Sequence, residues 1–236
     1  MTFQLQADAV EIYERVIVPL WFENWAAALL ELVPPQPGDA VLDVACGTGV
    51  TTRLAKHRVG SDGQVDGLDV NAKMLDRAKS HAEVSGIRWI ECDICESHLP
   101  ANRYNIILSQ QGYQYFTDQP KALKELYRLL VPGGKLAFSV WDGQSVYTEA
   151  VCSAIEKYIS IDAANIQRRQ RETPPVRELE GALSKAGYID IRIERQELTI
   201  RVPLAPEFVP LHLTSMPIGP KFLELPKMKK TVNQGC

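Results

Sequence analysis

Three aspartates and a pair of glycines are the residues of this chain whose types and spacing suggest chemistry. Asp43 lies near the end of an apolar run and is followed by Gly47-Thr48-Gly49, while Asp69 and Asp93 end the next two apolar runs. Open α/β sheets bind ligands at the carboxyl ends of their strands. There, the second acid can accept hydrogen bonds from both hydroxyls of a ribose, and the third from an exocyclic amine such as that of adenine. An isolated aspartate is more often a helix cap or turn residue, but three in register with a glycine turn favour a nucleoside site.

The elements that must position these acids follow the order of a nucleotide-binding βαβ unit. Strands are predicted over residues 40–44, 64–70 and 87–93, because each is a short apolar run. A helix is predicted over 50–58, and a second one begins after the N-cap Asn71 and runs to about residue 84. Gly47 and Gly49 lack a Cβ, so the chain can turn sharply between strand and helix and a ligand can approach the backbone.

Asp43 also indicates which nucleotide is bound. A pyrophosphate at a helix N-terminus requires amide N–H groups and no neighbouring carboxylate. Like charges at about 4 Å repel by roughly 4 kcal/mol at an effective dielectric near 20. In addition, Thr52 stands where the third glycine of a dinucleotide motif would fall. Both features favour S-adenosylmethionine, which has a sulfonium and no phosphate, over NAD. An NAD(P)-dependent oxidoreductase and a non-catalytic S-adenosylmethionine-binding protein remain as alternatives.

The motifs together resemble those of the class I S-adenosylmethionine-dependent methyltransferases, in particular the small bacterial group of the ubiquinone and menaquinone C-methylases. The similar segments are residues 41–49 (first motif), 67–71 (ribose), 92–94 (adenine), 105–112 (fourth strand) and 126–136 (Leu-Leu-x-Pro-Gly-Gly). The resemblance implies an α/β fold, a Rossmann-like three-layer αβα sandwich with a mostly parallel seven-stranded sheet and an antiparallel last strand. It also implies an N-terminal helical lid over residues 1–34 and one methyltransferase domain over 35–236.

From the motifs and the resemblance we expect a set of cofactor-binding residues. The lid would contribute aromatic rings, because an aromatic face near a sulfonium offers a cation–π contact. The expected residues are Tyr13, Trp21, Asp43, Ala45, Gly47, Gly49, Asp69, Val70, Met74, Asp93, Ile94 and Gln110.

The expected reaction is methyl transfer to a small-molecule acceptor in specialised or quinone-like metabolism. Methyl transfer is an in-line displacement at an activated carbon, so positioning can supply much of the rate. Residues 109–116 contain no His, Asp or Glu, and Gln111 and Tyr113 are therefore expected to orient the acceptor. His212 is the candidate general base, while His57, His81 and His98 are interpreted as solvated.

The remaining segments give weaker signals. Residues 7–18 and 20–33 predict two amphipathic helices broken near Pro19. The charge run of Arg168, Arg169, Arg171 and Glu172 indicates a solvated loop, with an anion site for an acidic substrate as the alternative. Residues 145–159 and 176–186 predict helices, and 188–194 and 197–202 predict the closing antiparallel strand pair. After Pro203 no helix is predicted, although members of the family usually have one there.

Composition limits the partners. The net charge of −3 and the pI of about 5.9 give no bulk attraction to nucleic acid or to an anionic membrane. Five unevenly spaced cysteines favour reduced thiols and a cytoplasmic location over a disulfide framework. Cys92-x-x-Cys95 has no second pair, so no metal is expected. No secretory or membrane-spanning segment is predicted, and a monomer or homodimer is expected.

Overall fold

The protein is built around a twisted parallel sheet, seen here in a computed structural model that describes residues 7–81 and 85–224. The strands lie in the order β3-β2-β1-β4-β5 and all pair in parallel. They are β1 (Ala40–Val44), β2 (Gln64–Asp69), β3 (Ile87–Glu91), β4 (Tyr104–Gln110) and β5 (Leu130–Ser139). The order reverses between β1 and β4, and at such a switch point the two flanking loops diverge and leave a crevice for a ligand.

Helices cover the sheet and extend beyond its carboxyl edge. They are α1 (Ala7–Ile12), α2 (Glu23–Leu32), α3 (Val50–Val59), α4 (Ala72–Lys79), α5 (Gln119–Leu129), α6 (Val146–Tyr158), α7 (Ile161–Arg169), α8 (Val176–Ala186), α9 (Ala205–Thr214) and α10 (Gly219–Leu223). The α/β class and the first three strands are confirmed. The predicted end of the second helix near residue 84 and the lysines after residue 224 lie outside the described residues.

Side-chain alternation along the strands produces two separate cores. Val41 of β1 packs with Leu30 of α2 and Ala55 of α3 on one face of the sheet. The next residue, Leu42, points to the other face and packs with Leu126 of α5. Because both faces of β1 are covered, its run is apolar almost throughout, as parallel strands require. The buried sheet thereby fixes the loops at its carboxyl edge.

Several predicted helix boundaries are confirmed by their caps. The side chain of Asn71 accepts hydrogen bonds from the backbone N–H groups of Lys73 and Met74 at the start of α4. Ser145 caps α6 in the same way, and Gly187 ends α8 in the left-handed conformation. These caps could be predicted from the sequence because each depends on residue types only two or three positions away.

The N-terminal segment differs from its prediction, because the chain does not break at Pro19. Between α1 and α2 it continues as a π-helix over Tyr13–Phe22, with Pro19 inside it. The backbone N–H of Glu23 donates to the carbonyl of Val18, five residues earlier. Proline lacks an N–H and its ring collides with the preceding α-helical turn. The wider π-helical turn accommodates that ring, so a continuous helical segment forms.

The prediction of seven strands with an antiparallel last strand was wrong, because residues 7–81 and 85–224 form five strands, all parallel. Residues 188–202 form no strand, and Ile189 is 83% exposed. The segment is held instead by the Tyr188 hydroxyl, which donates to the carbonyl of Leu123 in α5, and by Ile191, which packs in the cluster that includes α8. Alternation predicts an apolar face but not the edge on which the segment would pair.

The absence of a helix after Pro203 was also predicted wrongly. α9 and α10 lie there, and Leu213 and Phe222 pack against Val151 of α6 and Ala163 of α7. This helical group forms a wall beyond the carboxyl edge of the sheet. None of the helices within residues 7–81 and 85–224 has the length and apolarity needed to cross a bilayer.

Candidate functional site

A cleft of about 1210 Å³, including its open mouth, lies at the carboxyl edge of the sheet. The loops after β1, β2, β3 and β4 form its inner part, the π-helix lies against it, and α7 and α9 contribute its outer part. Most of the predicted site residues line it: Tyr13, Trp21, Ala45, Gly47, Asp69, Val70, Met74, Asp93, Ile94, Gln110, Gln111 and His212. Asp43, Gly49 and Tyr113 do not.

The turn after β1 brings backbone close to the cleft. Ala45 and Gly47 both have φ of 56°, and Gly49 has φ of 84°. A Cβ on Gly49 would lie 2.5 Å from the Cη2 atom of Trp89. Glycine is therefore required at 49 by its left-handed backbone and by the ring beside it. Gly49 shapes the turn, while Ala45 and Gly47 form the surface that faces the cleft.

Asp69 joins the end of β2 to this turn. One oxygen of its carboxylate accepts a hydrogen bond from the backbone N–H of Gly47 at 2.8 Å, and the other from that of Asn71 at 2.8 Å. Burial raises the pKa of Asp69, and these hydrogen bonds oppose the rise. A carboxylate has about four acceptor positions, so both oxygens retain capacity toward the cleft. The arrangement suits a pair of adjacent hydroxyls.

Asp43 lies beneath the turn and is completely buried. Its Oδ2 accepts a hydrogen bond from the Thr52 hydroxyl at 2.6 Å, and its Oδ1 has no partner among the described residues. Burial raises the pKa of Asp43 to about 7; the Thr52 hydrogen bond opposes this rise and the charge of Asp69 adds to it. A cationic ligand above the turn would favour the ionised form, whereas a phosphate would oppose it. Asp43 therefore fits a sulfonium-bearing ligand.

The loop after β3 contributes an acid and an apolar surface. Asp93 accepts hydrogen bonds from the backbone N–H of Cys95 at 2.8 Å and from the Thr117 hydroxyl at 2.9 Å. Ile94 and Met74 are buried beside it and line the same cleft. An acceptor oxygen next to two apolar side chains matches a flat heterocycle with an exocyclic amine.

At the end of β4, two consecutive glutamines have different environments. The Gln110 amide is fully engaged: its nitrogen donates to the carbonyl of Phe22 at 2.8 Å, and its oxygen accepts from the Thr51 hydroxyl at 2.5 Å. Gln111 has φ of 47°, lines the cleft, and its side-chain oxygen has no partner among the described residues. Gln110 thus fixes the π-helix to the sheet, while Gln111 is available to a ligand.

The outer wall contains His212 and its aromatic neighbours. The Tyr147 hydroxyl lies 2.7 Å from His212 Nδ1, and the Trp21 ring meets the imidazole edge-on with centroids 4.8 Å apart. Burial and, as the smaller cause, the positive charge of Arg171 together lower the pKa of His212 to about 3. The ring is therefore neutral in the physiological range and is a weak proton acceptor.

Two other sequence interpretations differ from the structure in local detail. Tyr113 lies in the core, where its ring stacks on Phe138 with centroids 5.1 Å apart. His81, interpreted as solvated, instead lies with its Nε2 2.7 Å from the carboxylate of Glu14. The Arg53 guanidinium donates to Glu14 at 3.2 Å and to the Thr48 carbonyl at 2.5 Å. The π-helix is thereby connected to the glycine turn.

The charge run that begins in the last turn of α7 was interpreted as a solvated loop, with an anion site as the alternative, and only part of the run is solvated. Arg168 pairs with Glu156 at 2.8 Å, and Arg169 is exposed. Arg171 lines the cleft, and its guanidinium carbon lies 4.0 Å from the centroid of the Trp141 ring. Sequence reasoning also missed further lining residues from α6, α7 and the α9–α10 turn, namely Thr148, Gln167, Gln170 and Met216. Their helices have generic amphipathic patterns, so no local signal marked them.

In the part of the chain that the structure describes, no three His, Cys, Asp or Glu residues lie close enough together to hold a metal ion. The Cys92 thiol donates to the carbonyl of Asp93, and the Cys95 thiol donates to the carbonyl of Asp118. Both sulfurs are thus engaged with backbone. The chemistry of the cleft therefore depends on carboxylates, amides, aromatic rings and one arginine.

Comparison with known proteins gives consistent results. Residues 41–134 match the methyltransferase domain family. A ubiquinone/menaquinone biosynthesis C-methyltransferase of Xanthomonas oryzae is 31% identical over 180 residues, which cover 70% of this chain and 71% of that protein. A 2-phytyl-1,4-naphtoquinone methyltransferase of Nostoc is 36% identical over 118 residues, 48% of this chain and about half (51%) of that protein.

Among solved structures, a Haemonchus contortus phosphoethanolamine N-methyltransferase in complex with S-adenosylmethionine has the same fold. It superposes with a TM-score of 0.62 at 21% identity, over 97% of this chain and 51% of that one. The sequence match over more than two thirds of the Xanthomonas enzyme carries the assignment. The chain belongs to the class I S-adenosylmethionine-dependent methyltransferases and is related to the ubiquinone/menaquinone C-methyltransferases.

Proposed function

We propose that this protein transfers a methyl group from S-adenosylmethionine to a small-molecule acceptor bound in the outer part of the same cleft. The observation that carries the proposal is the continuity of the cleft, because one lining extends from Asp69 and Asp93 at the carboxyl edge of the sheet to His212 on α9. The part around Asp69 and Asp93 is proposed to bind the ribose and adenine of the cofactor. The part toward His212 is proposed to bind the acceptor.

The roles proposed for the cofactor residues follow from their contacts. Asp69 accepts hydrogen bonds from the ribose hydroxyls, and Asp93 from the adenine amine. When bound, S-adenosylmethionine supplies a methyl carbon on a positively charged sulfur, ready for in-line displacement. Tyr13 and Trp21 line the cleft from the π-helix, and an aromatic face stabilises such a cation.

We further propose that residues 1–34 act as a lid on the methyltransferase domain of residues 35–236. Two contacts support this division of roles, since Gln110 holds the Phe22 carbonyl and Arg53 joins Glu14 to the Thr48 carbonyl. These contacts join the N-terminal segment to the end of β4 and to the turn after β1, and Tyr13 and Trp21 of that segment line the cleft, which supports a covering role. A closed lid excludes water and fixes the acceptor, which are the contributions that positioning requires.

For the acceptor, we propose a planar, quinone-like molecule of quinone or specialised metabolism. The relatives described above are named as quinone methyltransferases, and the lining of the cleft includes Trp21, Phe116 and Trp141. Flat rings bind well between such side chains. Gln111 is proposed to orient this acceptor. The cytoplasmic location and the monomeric or dimeric state stay predictions.

A binding and turnover experiment tests the proposed function. Isothermal titration with S-adenosylhomocysteine is expected to give saturable binding, while NADH at the same concentration is expected to give none. Transfer of a labelled methyl group to 1,4-naphthoquinol or to a small-molecule extract is then measured. NADH binding would support the oxidoreductase alternative. Cofactor binding without transfer to any acceptor would support a non-catalytic protein.

Replacing His212 by asparagine is expected to slow methyl transfer by less than the factor of about 10²–10⁴ associated with a positioned general base. The reason is that the buried imidazole, with a pKa of about 3, is a poor proton acceptor at neutral pH. The rate is measured against pH, and it should follow the ionisation of the acceptor. His57→Asn is the matched control, because His57 is exposed on α3. A larger loss with unchanged cofactor affinity would identify His212 as the base.

A further inference from the structure

Arg171 is a cation placed inside the proposed acceptor region. It follows α7, and its guanidinium carbon lies over the Trp141 ring, 4.0 Å from the ring centroid. It lines the cleft together with Gln111 and His212. A guanidinium that stacks on a ring face keeps its N–H groups in its own plane, where an anion can reach them edge-on. The stacking therefore orients Arg171 without occupying its hydrogen-bond donors.

Arg171 differs from its neighbours in having no counter-ion. Arg168, in the last turn of α7, pairs with Glu156 at 2.8 Å and Glu149 at 3.6 Å. Within residues 7–81 and 85–224, by contrast, no carboxylate lies within 4.0 Å of the Arg171 guanidinium, and that group donates no hydrogen bond. The groups whose ionisation it influences are Tyr115, Tyr147, Cys152 and His212.

These surrounding groups are neutral at physiological pH, so they do not compensate the charge. Burial raises the pKa of Tyr115 to about 12 and lowers that of His212 to about 3. Burial also lowers the pKa of Arg171 itself. Arg171 is half-buried, so its guanidinium loses part of its hydration without gaining an anion in return, and such groups are normally paired. An uncompensated arginine in a ligand cleft is therefore suited to an anion that the ligand brings.

We propose that Arg171 binds an anionic oxygen group of the methyl acceptor. This inference rests on the proposed function and narrows its substrate to acceptors with a carboxylate, a phosphate or an ionised hydroxyl. The planar guanidinium can donate two parallel hydrogen bonds to such a group. Gln167 and Thr148 also line the cleft and add polar surface to it.

The placement also affects how an acceptor becomes nucleophilic. A positive charge beside an ionisable hydroxyl favours the charged form. Arg171 would thus increase the fraction of acceptor that is already deprotonated at neutral pH. That contribution matches a site in which His212 is neutral and weakly basic. The proton is lost to solvent before transfer, so no protein base is required.

A binding experiment with small anions tests the proposal directly. Benzoate, phenyl phosphate and the neutral benzamide are titrated into protein saturated with S-adenosylhomocysteine, with ligand-observed NMR as the readout. At least one of the two anions is expected to bind at millimolar concentration, and Arg171→Gln should weaken it by about 10- to 100-fold. Arg169→Gln, an exposed arginine two positions away, should leave the affinity unchanged. Benzamide should be insensitive to both variants.

Three results would overturn the proposal. They are equal binding of benzoate and benzamide, anion binding that Arg171→Gln does not change, and failure of both anions to bind the unmodified protein. The choice between benzoate and phenyl phosphate distinguishes a carboxylate from a phosphate acceptor. Repeating the titration without S-adenosylhomocysteine separates the two proposals, because the anion site can be measured even in a protein that does not bind the cofactor.

Thermal unfolding of Arg171→Gln and Arg171→Met separates ligand binding from structural support. Methionine retains apolar contact with Trp141 but removes the charge. Both variants should have an unchanged or higher Tm, because an uncompensated cation is removed. Their affinity for the cofactor should stay within about twofold of that of the unmodified protein, well below the tenfold change that corresponds to ~1.4 kcal/mol. A lower Tm in both variants would show that Arg171 supports the fold, which would contradict the proposal.

Discussion

Replacing Asp69 by alanine is expected to weaken S-adenosylmethionine binding by at least about tenfold, since each charge-assisted hydrogen bond to the ribose contributes about 1.5–3 kcal/mol. The change also removes the acceptor of the Gly47 and Asn71 N–H groups. Some loss of Tm is therefore expected as well. Affinity is measured by calorimetry at a temperature at which circular dichroism shows the variant folded.

Two matched variants make this result interpretable. Glu91→Ala removes an exposed acid at the end of the neighbouring strand, in register with Asp69, and should leave affinity unchanged. Asp93→Ala should cost less than Asp69→Ala, because it loses one hydrogen bond to a neutral amine while the apolar surface of Ile94 remains. An Asp69→Ala protein that binds the cofactor normally would refute the ribose assignment.

Gly112→Ala is expected to destabilise the fold and to weaken cofactor binding together. A Cβ at this position would lie 2.6 Å from both the Cβ of Ala45 and the Oγ of Ser109. The Ser109 hydroxyl can rotate about χ1, but the Cβ of Ala45 is fixed to the backbone, so the loops after β1 and β4 must separate. Overpacking of this kind costs about 1–3 kcal/mol, which corresponds to a Tm lower by several degrees. Ala45 lines the cleft, so its displacement reaches the cofactor.

The control for this variant is Gly181→Ala. Gly181 lies within α8, and a Cβ there meets no atom within 4 Å. Alanine is preferred to glycine inside a helix by about 1 kcal/mol, so this variant should have a raised Tm and unchanged cofactor affinity. Equal stability of the Gly112→Ala and unmodified proteins would mean that the two loops separate without cost.

The inner part of the cleft could be predicted from the sequence because its residues are close together in the chain. Asp69 ends β2, and Asn71 caps α4 two positions later. The glycine turn is recognised directly from its Gly-x-Gly sequence. In the outer part, the sequence predicted His212 and, only as an alternative, an anion site in the charge run that contains Arg171. Arg171 acquires its role only when the chain after α7 packs beside Trp141, thirty positions earlier. Likewise, the strands expected over 188–202 required an edge to pair with, which alternation does not specify.

The proline in the N-terminal segment illustrates the same limit within one element. Its residue type predicts a break in an α-helix, but the chain has another regular conformation that tolerates it. Contacts made by distant residues, such as the hydrogen bond from Gln110 to the Phe22 carbonyl, favour the continuous form. Local propensity was overridden by tertiary structure in the segment proposed as the lid.

Ala45 and Gln111 are the two non-glycine residues in the cleft that have positive φ. Their backbone conformation implies a conflict between the stability of the fold and the activity of the site. Positive φ at Asn102 and Asp190 is ordinary for short polar residues, but alanine and glutamine have no such compensation, and each costs about 1 kcal/mol or more. The hydrogen-bonded ends of β1 and β4 maintain this strain. Selection for a higher melting temperature would therefore first favour substitutions at Ala45 and Gln111, because these relieve the backbone strain. The same substitutions would change the loop geometry that catalysis needs.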